Sequence, residues 1–230
     1  MKITWLGHGS FRVDIADQVL LIDPWLYGNP VLDEAKVPEA VAGATQILVT
    51  HGHFDHTKDL PQLSKDSGLP VSGGYELIGA LVGLGAVEGN RFNVGGTVAF
   101  GDVQVSMVPA SHSSSMEVDG HGTYMGQETG FIIKGEGRTI YHSGDTSIMA
   151  DMAWIGDYYK PDIGILSAGG YFTMDMDQAA YAARRYFDFK QVIPGHYRTF
   201  PILEQSVEAL RDGLPGVEVC ELAVMEAREF

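Results

Sequence analysis

The sequence has a single cysteine, Cys220, among its 230 residues, and it has no long apolar run. A lone cysteine cannot form an internal disulfide, and such chains are typical of a reducing compartment. No stretch approaches the roughly 18 uninterrupted apolar residues that a membrane span needs. The first residues also lack the apolar segment and cleavage site of a secretion signal. We therefore expect a cytoplasmic protein that does not associate with membranes.

Basic residues are scarce as well. The chain has 15 Lys and Arg residues against 30 Asp and Glu residues, which gives a formal net charge of −15. A surface of this sign repels nucleic-acid phosphates and acidic lipid headgroups. We expect a small-molecule substrate and no nucleic-acid partner, although divalent ions in a pocket can reverse the charge locally. The composition leaves the oligomeric state open and is compatible with a homo-oligomer.

Short apolar runs alternate with turn-forming residues along the chain, without an internal repeat or low-complexity tract. A strand-rich first half followed by strand–helix units predicts one α/β domain over residues 1–230, with two packed sheets and helices outside. The predicted helices are Thr57–Asp66, Tyr75–Leu84, Met176–Phe187 and Pro201–Leu210. The predicted strands are Ile3–Leu6, Phe11–Ile15, Val19–Ile22, Ile47–Val49, Val98–Phe100, Val103–Val108, Phe131–Lys134, Thr139–Tyr141, Ile163–Leu166, Gln191–Ile193 and Val217–Cys220.

The strongest chemical signal is the segment Thr50–His56, which reads THGHFDH and follows the fourth predicted strand. Residues i and i+2 of an extended segment point the same way, so His51 and His53 can hold one metal ion. Asp55 and His56 lie in the turn that follows and can face a second ion. The alternative is a surface loop that is His-rich by chance, but this spacing of three His and one Asp is rare.

Two metal ions need more ligands than this segment offers. His112, Asp145 and His196 each lie just beyond an apolar run and next to Gly or Ser. Strand ends that meet at one edge of a sheet build a site there. We therefore expect these three side chains to converge on the His-rich segment.

Six segments together resemble the motifs of the metallo-β-lactamase superfamily. The similarity is greatest to its uncharacterised metal-dependent hydrolase subfamily and more distant to the ascorbate-6-phosphate lactonase family. It covers nearly the whole chain and implies a four-layer αββα sandwich with the site at one edge of the paired sheets. The segments are Trp5–Phe11, Leu21–Trp25, Thr50–His56, His142–Thr146, Gly169–Met174 and Ile193–Pro201.

The resemblance also implies a ligand set, residue by residue. One metal ion is held by His51, His53 and His112, the second by Asp55, His56 and His196, and Asp145 bridges both. Mixed imidazole and carboxylate ligands suit Zn²⁺, and they also accept Mn²⁺, Fe²⁺ or Ni²⁺. No cysteine occupies a ligand position, unlike in the lactamases that use one, which argues against antibiotic hydrolysis.

Two divalent metal ions that share a water lower its pKa and generate a nucleophile. We expect such a hydroxide to attack a small ester, lactone or thioester, with Asp55 and Asp145 as the catalytic carboxylates. Asp55 can also orient the nucleophile or relay a proton. The alternatives are a phosphodiesterase of the same superfamily and a non-catalytic metal- or ligand-binding protein. The oxygen-reducing diiron branch of the superfamily replaces the second His of this motif by Glu. His53 is intact here, so redox chemistry is disfavoured.

Several residues near the expected site have two interpretations. His8 either lines the pocket or is a loop histidine satisfied by backbone. Asp23 either orients a ligand histidine or caps the turn before Pro24. His142 is expected to pack behind the site, although it competes with Asp145 for the ligand role. His121 is expected in a solvated loop.

Aromatic side chains and one loop are candidates for the pocket wall. Tyr197 is favoured because it follows a predicted ligand directly. The pocket is expected to be framed by Tyr197, Trp25 and the Ser113–Thr129 loop, and to enclose something small. Tyr171, Phe172 and Phe200 either join this wall or pack in the core.

Overall fold

The computed structural model describes all 230 residues. The helices are α1 (Val37–Val41), α2 (Phe54–Thr57), α3 (Leu60–Ser67), α4 (Tyr75–Gly83), α5 (Met152–Tyr159), α6 (Met176–Tyr186) and α7 (Glu208–Gly213), with a 3₁₀ turn at Glu34–Lys36. The strands are β1 (Lys2–Gly7), β2 (Ser10–Ile15), β3 (Gln18–Ile22), β4 (Gln46–Val49), β5 (Pro70–Gly74), β6 (Val87–Phe92), β7 (Thr97–Phe100), β8 (Val103–Pro109), β9 (Ser115–Val118), β10 (His121–Tyr124), β11 (Thr129–Gly135), β12 (Arg138–His142), β13 (Ile163–Ser167), β14 (Gln191–Gly195), β15 (Glu218–Val219) and β16 (Ala227–Glu229). No helix is long and apolar enough to span a bilayer.

The strands form two seven-stranded sheets and one separate hairpin. The first sheet has the order β16-β1-β2-β3-β4-β5-β6, the second has the order β15-β14-β13-β12-β11-β8-β7, and β9 pairs with β10. Each large sheet is antiparallel in one half and parallel in the other. Parallel neighbours need crossover connections, and each of these connections contains at least one of the helices α1 to α7.

The two faces of the first sheet pack against different layers, because alternate side chains of a strand point to opposite sides. On β3, Leu20 belongs to a cluster of 41 buried apolar residues that also includes Phe131 of the second sheet. Its neighbour Leu21 belongs to a cluster of 17 with Leu63 of α3. Helices α5 and α6 cover the second sheet and contribute to the larger cluster. The predicted four-layer αββα sandwich is therefore confirmed.

Two of the predicted helices are wrong in extent. The structure divides the helix predicted at Thr57–Asp66 into α2 and α3, and Pro61 lies in the first turn of α3, where its missing N–H costs nothing. Most of Pro201–Leu210 forms turns, and only α7 is helical there. The Gln205 side-chain amide donates to the carbonyls of Phe200 and Leu203, which satisfies them without a helix.

The missed elements lack the apolar periodicity that marks a strand or helix. Strand β5 contains Pro70 and two glycines, and β6 is largely polar. The β9–β10 hairpin exposes most of its side chains, so its sequence does not alternate. The predicted loop position of His121 is wrong, because this exposed residue begins β10.

Candidate metal centre

The seven predicted ligands meet at one edge of the paired sheets. The strand ends bring them there, because the His-rich segment follows β4, and the three other ligands follow β8, β12 and β14. Five of the seven are buried, and His53 and His112 are partly open to a cavity. The residues are His51, His53, Asp55, His56, His112, Asp145 and His196.

Three histidines form the first group. His51 Nε2 lies 3.1 Å from His53 Nδ1, and His112 Nε2 lies 3.2 Å from the same atom. Nitrogens about 2.0–2.1 Å from a tetrahedral ion are separated by about 3.3 Å. The three nitrogens therefore have the spacing of ligands to one ion.

The second group consists of Asp55, His56 and His196. Asp55 Oδ2 lies 3.5 Å from His56 Nε2 and 3.4 Å from His196 Nε2. His56 Nε2 is buried without a hydrogen-bond partner. A buried ring nitrogen in this state is costly unless something binds it, and a metal ion at that position would provide the partner.

Asp145 lies between the two groups. Its Oδ2 atom is 3.1 Å from His196 Nε2 and 3.4 Å from His56 Nε2. The same oxygen is 3.7 Å from His112 Nε2 and 3.9 Å from His51 Nε2. One carboxylate oxygen thus faces histidines of both groups.

Burial and neighbouring carboxylates set the protonation of the histidines in opposite directions. Burial lowers the pKa of His51, His53 and His112, which keeps their nitrogen lone pairs free for a metal ion. At His196 burial acts in the same direction, but the Asp145 carboxylate outweighs it and raises the pKa to about 9.

The buried carboxylates of the centre need positive charge close to them. Asp23, Asp55 and Asp145 are all buried, and their only cationic neighbours are histidines. Burial alone would raise the pKa of Asp145, but His196 and His56 hold it well below its usual range. Buried carboxylates are stable only when paired or metal-bound. The donor set therefore fits divalent cations.

Asp23 and Thr50 support the ligand histidines from behind. Asp23 accepts hydrogen bonds from the Thr50 N–H at 2.8 Å and the Thr50 hydroxyl at 2.6 Å, and its Oδ2 lies 2.9 Å from His56 Nδ1. Thr50 Oγ1 is also 2.9 Å from His51 Nδ1. Asp23 thus occupies the position expected of a residue that orients a ligand. Thr50 was not predicted, and its place directly before the first histidine was the available signal.

His8 has side-chain partners, so it is not a loop histidine satisfied by backbone alone. Its Nε2 lies 2.7 Å from Asp55 Oδ2, and its Nδ1 lies 2.9 Å from Thr199 Oγ1. Its ring packs 3.9 Å from the ring of His196, and burial lowers the pKa of His8 to about 4. The side chain reaches the cavity floor. Thr199 was missed because nothing in its local sequence links it to residue 8.

His142 and Tyr197 lie behind the site. His142 packs edge-on against Phe11 at 5.8 Å, and its Nδ1 accepts a hydrogen bond from the Gly144 N–H at 3.2 Å. It is outside the two groups of ligand atoms. Tyr197 is fully buried and stacks on Trp5 at 5.0 Å. The prediction that Tyr197 frames the pocket is wrong, because its ring points into the core.

A cavity of about 1000 Å³ opens above the ligands. Trp25 is buried and does not line it, contrary to prediction, whereas Phe172 and Phe200 do. The Ser113–Thr129 segment contributes part of the wall, as expected, through the β9–β10 hairpin. The apolar residues Phe54, Pro61, Leu84, Met116 and Ile202 also line the cavity.

Backbone geometry at the centre is unusual. His8, Asp23 and His196 have φ values of 54°, 47° and 59°. This left-handed region costs a residue with a side chain on the order of 1–2 kcal/mol. Such strain is concentrated where a fold holds functional groups in place. Here the three residues are His196, which is a candidate ligand, and His8 and Asp23, which contact candidate ligands.

Residues 18–212 match the model of a family described as the beta-lactamase superfamily domain. A UPF0173 metal-dependent hydrolase from Cereibacter sphaeroides is 60% identical over 225 residues, which cover 98% of each chain. Another, from Ruegeria pomeroyi, is 60% identical over 229 residues and 100% of each chain. Igni18, a metallo hydrolase from the archaeon Ignicoccus hospitalis, has a similar structure, with a TM-score of 0.82, 30% identity, and coverage of 100% of this chain and 98% of its own.

Proposed function

This chain belongs to the beta-lactamase superfamily and is a metal-dependent hydrolase, and from that membership we propose that it cleaves a small ester, lactone or thioester. The proposed centre holds two divalent ions, with Zn²⁺ as the ion that best matches a mixed imidazole and carboxylate set. His51, His53 and His112 would hold one ion, Asp55, His56 and His196 would hold the other, and Asp145 faces both sets.

The observation that carries this proposal is the position of Asp145 Oδ2. It lies within 4 Å of the Nε2 atoms of four histidines that belong to two different groups. A carboxylate that only balanced one ion would not need to face both groups. This arrangement supports a shared carboxylate between two adjacent ions.

Divalent ions at these positions supply Lewis acidity, which acidifies water and polarises a substrate carbonyl. Asp55 belongs to the second group and, like Asp145, borders the cavity. We assign it the task of accepting a hydrogen bond from the attacking water and so orienting it. His8 fixes the Asp55 carboxylate through its Nε2 atom, 2.7 Å from Oδ2. Thr199 in turn holds the other ring nitrogen of His8.

A small substrate in the cytoplasm is part of the proposal. The net charge of −15 disfavours the approach of RNA or an acidic membrane. Within the cavity, Lys58 is the only Lys or Arg side chain, so a polyanion finds little to bind apart from the metal ions. The lone cysteine supports a reducing compartment.

A substrate panel at matched concentration tests this proposal. It contains lactones, thioesters, aryl esters, a bis-aryl phosphodiester and precursor RNA, each assayed with zinc-loaded and chelator-treated protein. We expect turnover of one or more of the carbonyl substrates, lost with the chelator and restored by zinc. If the protein turns over the phosphodiester or RNA but none of the carbonyl substrates, it is a phosphodiesterase instead.

A further inference from the structure

Both halves of the chain contribute exposed apolar side chains to the wall of the site cavity. Phe54 and Leu84 line it from the first half of the chain, and Phe172 and Ile202 line it from the second half. These residues belong to the segments around helices α2 and α4 and to loops after β13 and β14. The first set thus follows strands of the first sheet, and the second set follows strands of the second sheet.

These side chains are unusually exposed for their size. Phe54 is 60% exposed, Leu84 59%, Phe172 54% and Ile202 54%. Single exposed apolar side chains are common on proteins, but a group of four around one opening marks a binding surface. An apolar group that enters the cavity removes this surface from water, which favours binding.

The apolar wall begins next to the ligands. The Phe172 ring lies 6.5 Å from the ring of His196, and Phe54 directly follows His53 in the chain. Phe54 is held in place by an edge contact with Trp25 at 5.8 Å. A substrate whose scissile carbonyl reaches the ligands thus places the adjoining part of its structure against this wall.

The cavity wall carries little net charge. Beyond the ligand histidines and carboxylates and the buried His8, its ionisable side chains are Lys58 and Glu117, one of each sign. A substrate arm with a charge of its own would gain no net electrostatic attraction from this pair. The arm that suits the wall is therefore uncharged as well as apolar.

We propose, on the basis of the hydrolase function proposed above, that the substrate is an uncharged ester, thioester or lactone with a medium-length alkyl or aryl arm. The arm packs between Phe54 and Leu84 on one side and Phe172 and Ile202 on the other. Each buried methylene contributes up to about fourfold in kcat/KM, the equivalent of ~0.8 kcal/mol. The preference thus comes from the wall rather than from the metal ligands.

The test compares p-nitrophenyl esters of acetate, butyrate, hexanoate and octanoate with zinc-loaded protein. We expect kcat/KM to rise at least about tenfold from acetate to octanoate. The double variant Leu84→Ser/Ile202→Ser should flatten this rise, because it removes one apolar side chain from each set of the wall. Val87→Ser, at an exposed aliphatic residue of β6 outside the cavity, is the matched control and should keep the rise.

Calorimetry with the amide series from acetamide to octanamide measures binding to the protein without hydrolysis. It therefore separates this inference from the proposed function. Affinity that increases with chain length, and does so less in the double variant, supports the apolar arm even if no ester is hydrolysed. Ester hydrolysis with a flat or falling chain-length profile overturns the inference and leaves the proposed function standing. An equal rise in the double variant also overturns it. Binding to phosphatidylcholine vesicles without any chain-length preference would assign these side chains to a membrane surface instead.

Discussion

At the scale of single residues, the centre depends on polar and charged side chains that are costly to bury and that lie close together. Asp145 and His51 are almost fully buried, yet neither belongs to the apolar clusters that hold the sheets together. Their removal should therefore affect metal binding more than folding. The residues that support them, such as Thr50 and Asp23, act by fixing ring orientation.

We predict that His51→Ala and Asp145→Ala each lower kcat/KM at least about a hundredfold and reduce the metal bound per chain, while the folded structure persists. His121→Ala is the matched control, because His121 is exposed on β10 and remote from the ligand groups. Steady-state kinetics, elemental analysis and circular dichroism measure the three effects. Wild-type activity and metal content in Asp145→Ala would show that Asp145 is not the shared carboxylate.

His142 should make the stability of the protein depend on pH. Burial lowers its pKa from an ordinary 6.5 to about 4, so the unfolded chain binds the proton more readily between these values. The contribution of this residue to the free energy of unfolding is complete above pH 6.5. It is lost as the pH falls toward about 4, at about 1.4 kcal/mol per pH unit.

The variant His142→Asn stays neutral and can still accept the hydrogen bond from the Gly144 N–H. We predict that its free energy of unfolding falls less than that of the wild type between about pH 7 and about pH 4.5, by up to about 3 kcal/mol. Urea titrations at both pH values measure the difference. A packing defect lowers stability equally at both, so parallel losses in the two proteins would contradict the prediction.

The ligand spacing in the His-rich segment could be predicted from the sequence because the segment is contiguous and follows a buried strand. The partners of His8 could not, since Asp55 and Thr199 are brought to it by tertiary packing. The predicted position of Tyr197 in the pocket wall was wrong for a related reason. Adjacent residues of the turn after β14 point in different directions, so His196 faces the ligands while Tyr197 stacks on Trp5.

At the scale of elements, the site depends on how closely neighbouring turns approach each other. Gly169 follows β13, and a Cβ at this position would lie 1.9 Å from the His196 carbonyl oxygen and 2.9 Å from His196 Nδ1. Only a residue without a side chain permits this contact. The turn that carries Gly169 therefore helps to fix the turn that carries His196.

We predict that Gly169→Ala displaces the His196 turn, lowers the metal bound per chain, and destabilises the protein by about 1–3 kcal/mol. Gly83→Ala in α4 is the control, because a Cβ there meets no atom within 4 Å. It should keep full metal content and be neutral or stabilising by up to about 1 kcal/mol. Thermal unfolding and elemental analysis measure both. Full metal content in Gly169→Ala would refute the importance of this contact.

Elements with apolar periodicity could be predicted from the sequence, and those defined by tertiary contacts could not. Strands β3 and β8 have buried apolar residues flanked by turn signals, so they were predicted nearly in full. The β9–β10 hairpin has no such pattern, although it forms part of the cavity wall. The false helix at Pro201–Leu210 had the right composition, but Gln205 satisfies its carbonyls in another way.

At the scale of the whole molecule, the acidic surface and the centre have complementary roles. The net charge of −15 attracts divalent cations and repels polyanions. The four-layer packing fixes the two sheets relative to each other. The ligands that follow β4, β8, β12 and β14 therefore meet at one edge, although they are distant in the sequence. The family relationship gives the class of reaction, and the apolar cavity wall is the basis for the proposed choice of substrate.

The central claim is that two metal ions at this centre are required for hydrolysis. The most direct measurement is the metal content of freshly purified protein, titrated with a chelator while hydrolysis of a substrate from the panel is followed. We predict close to two transition-metal ions per chain, loss of turnover as they are removed, and recovery when zinc is restored. Metal-free protein that still hydrolyses the substrate, or full activity with a single ion per chain, would contradict the account.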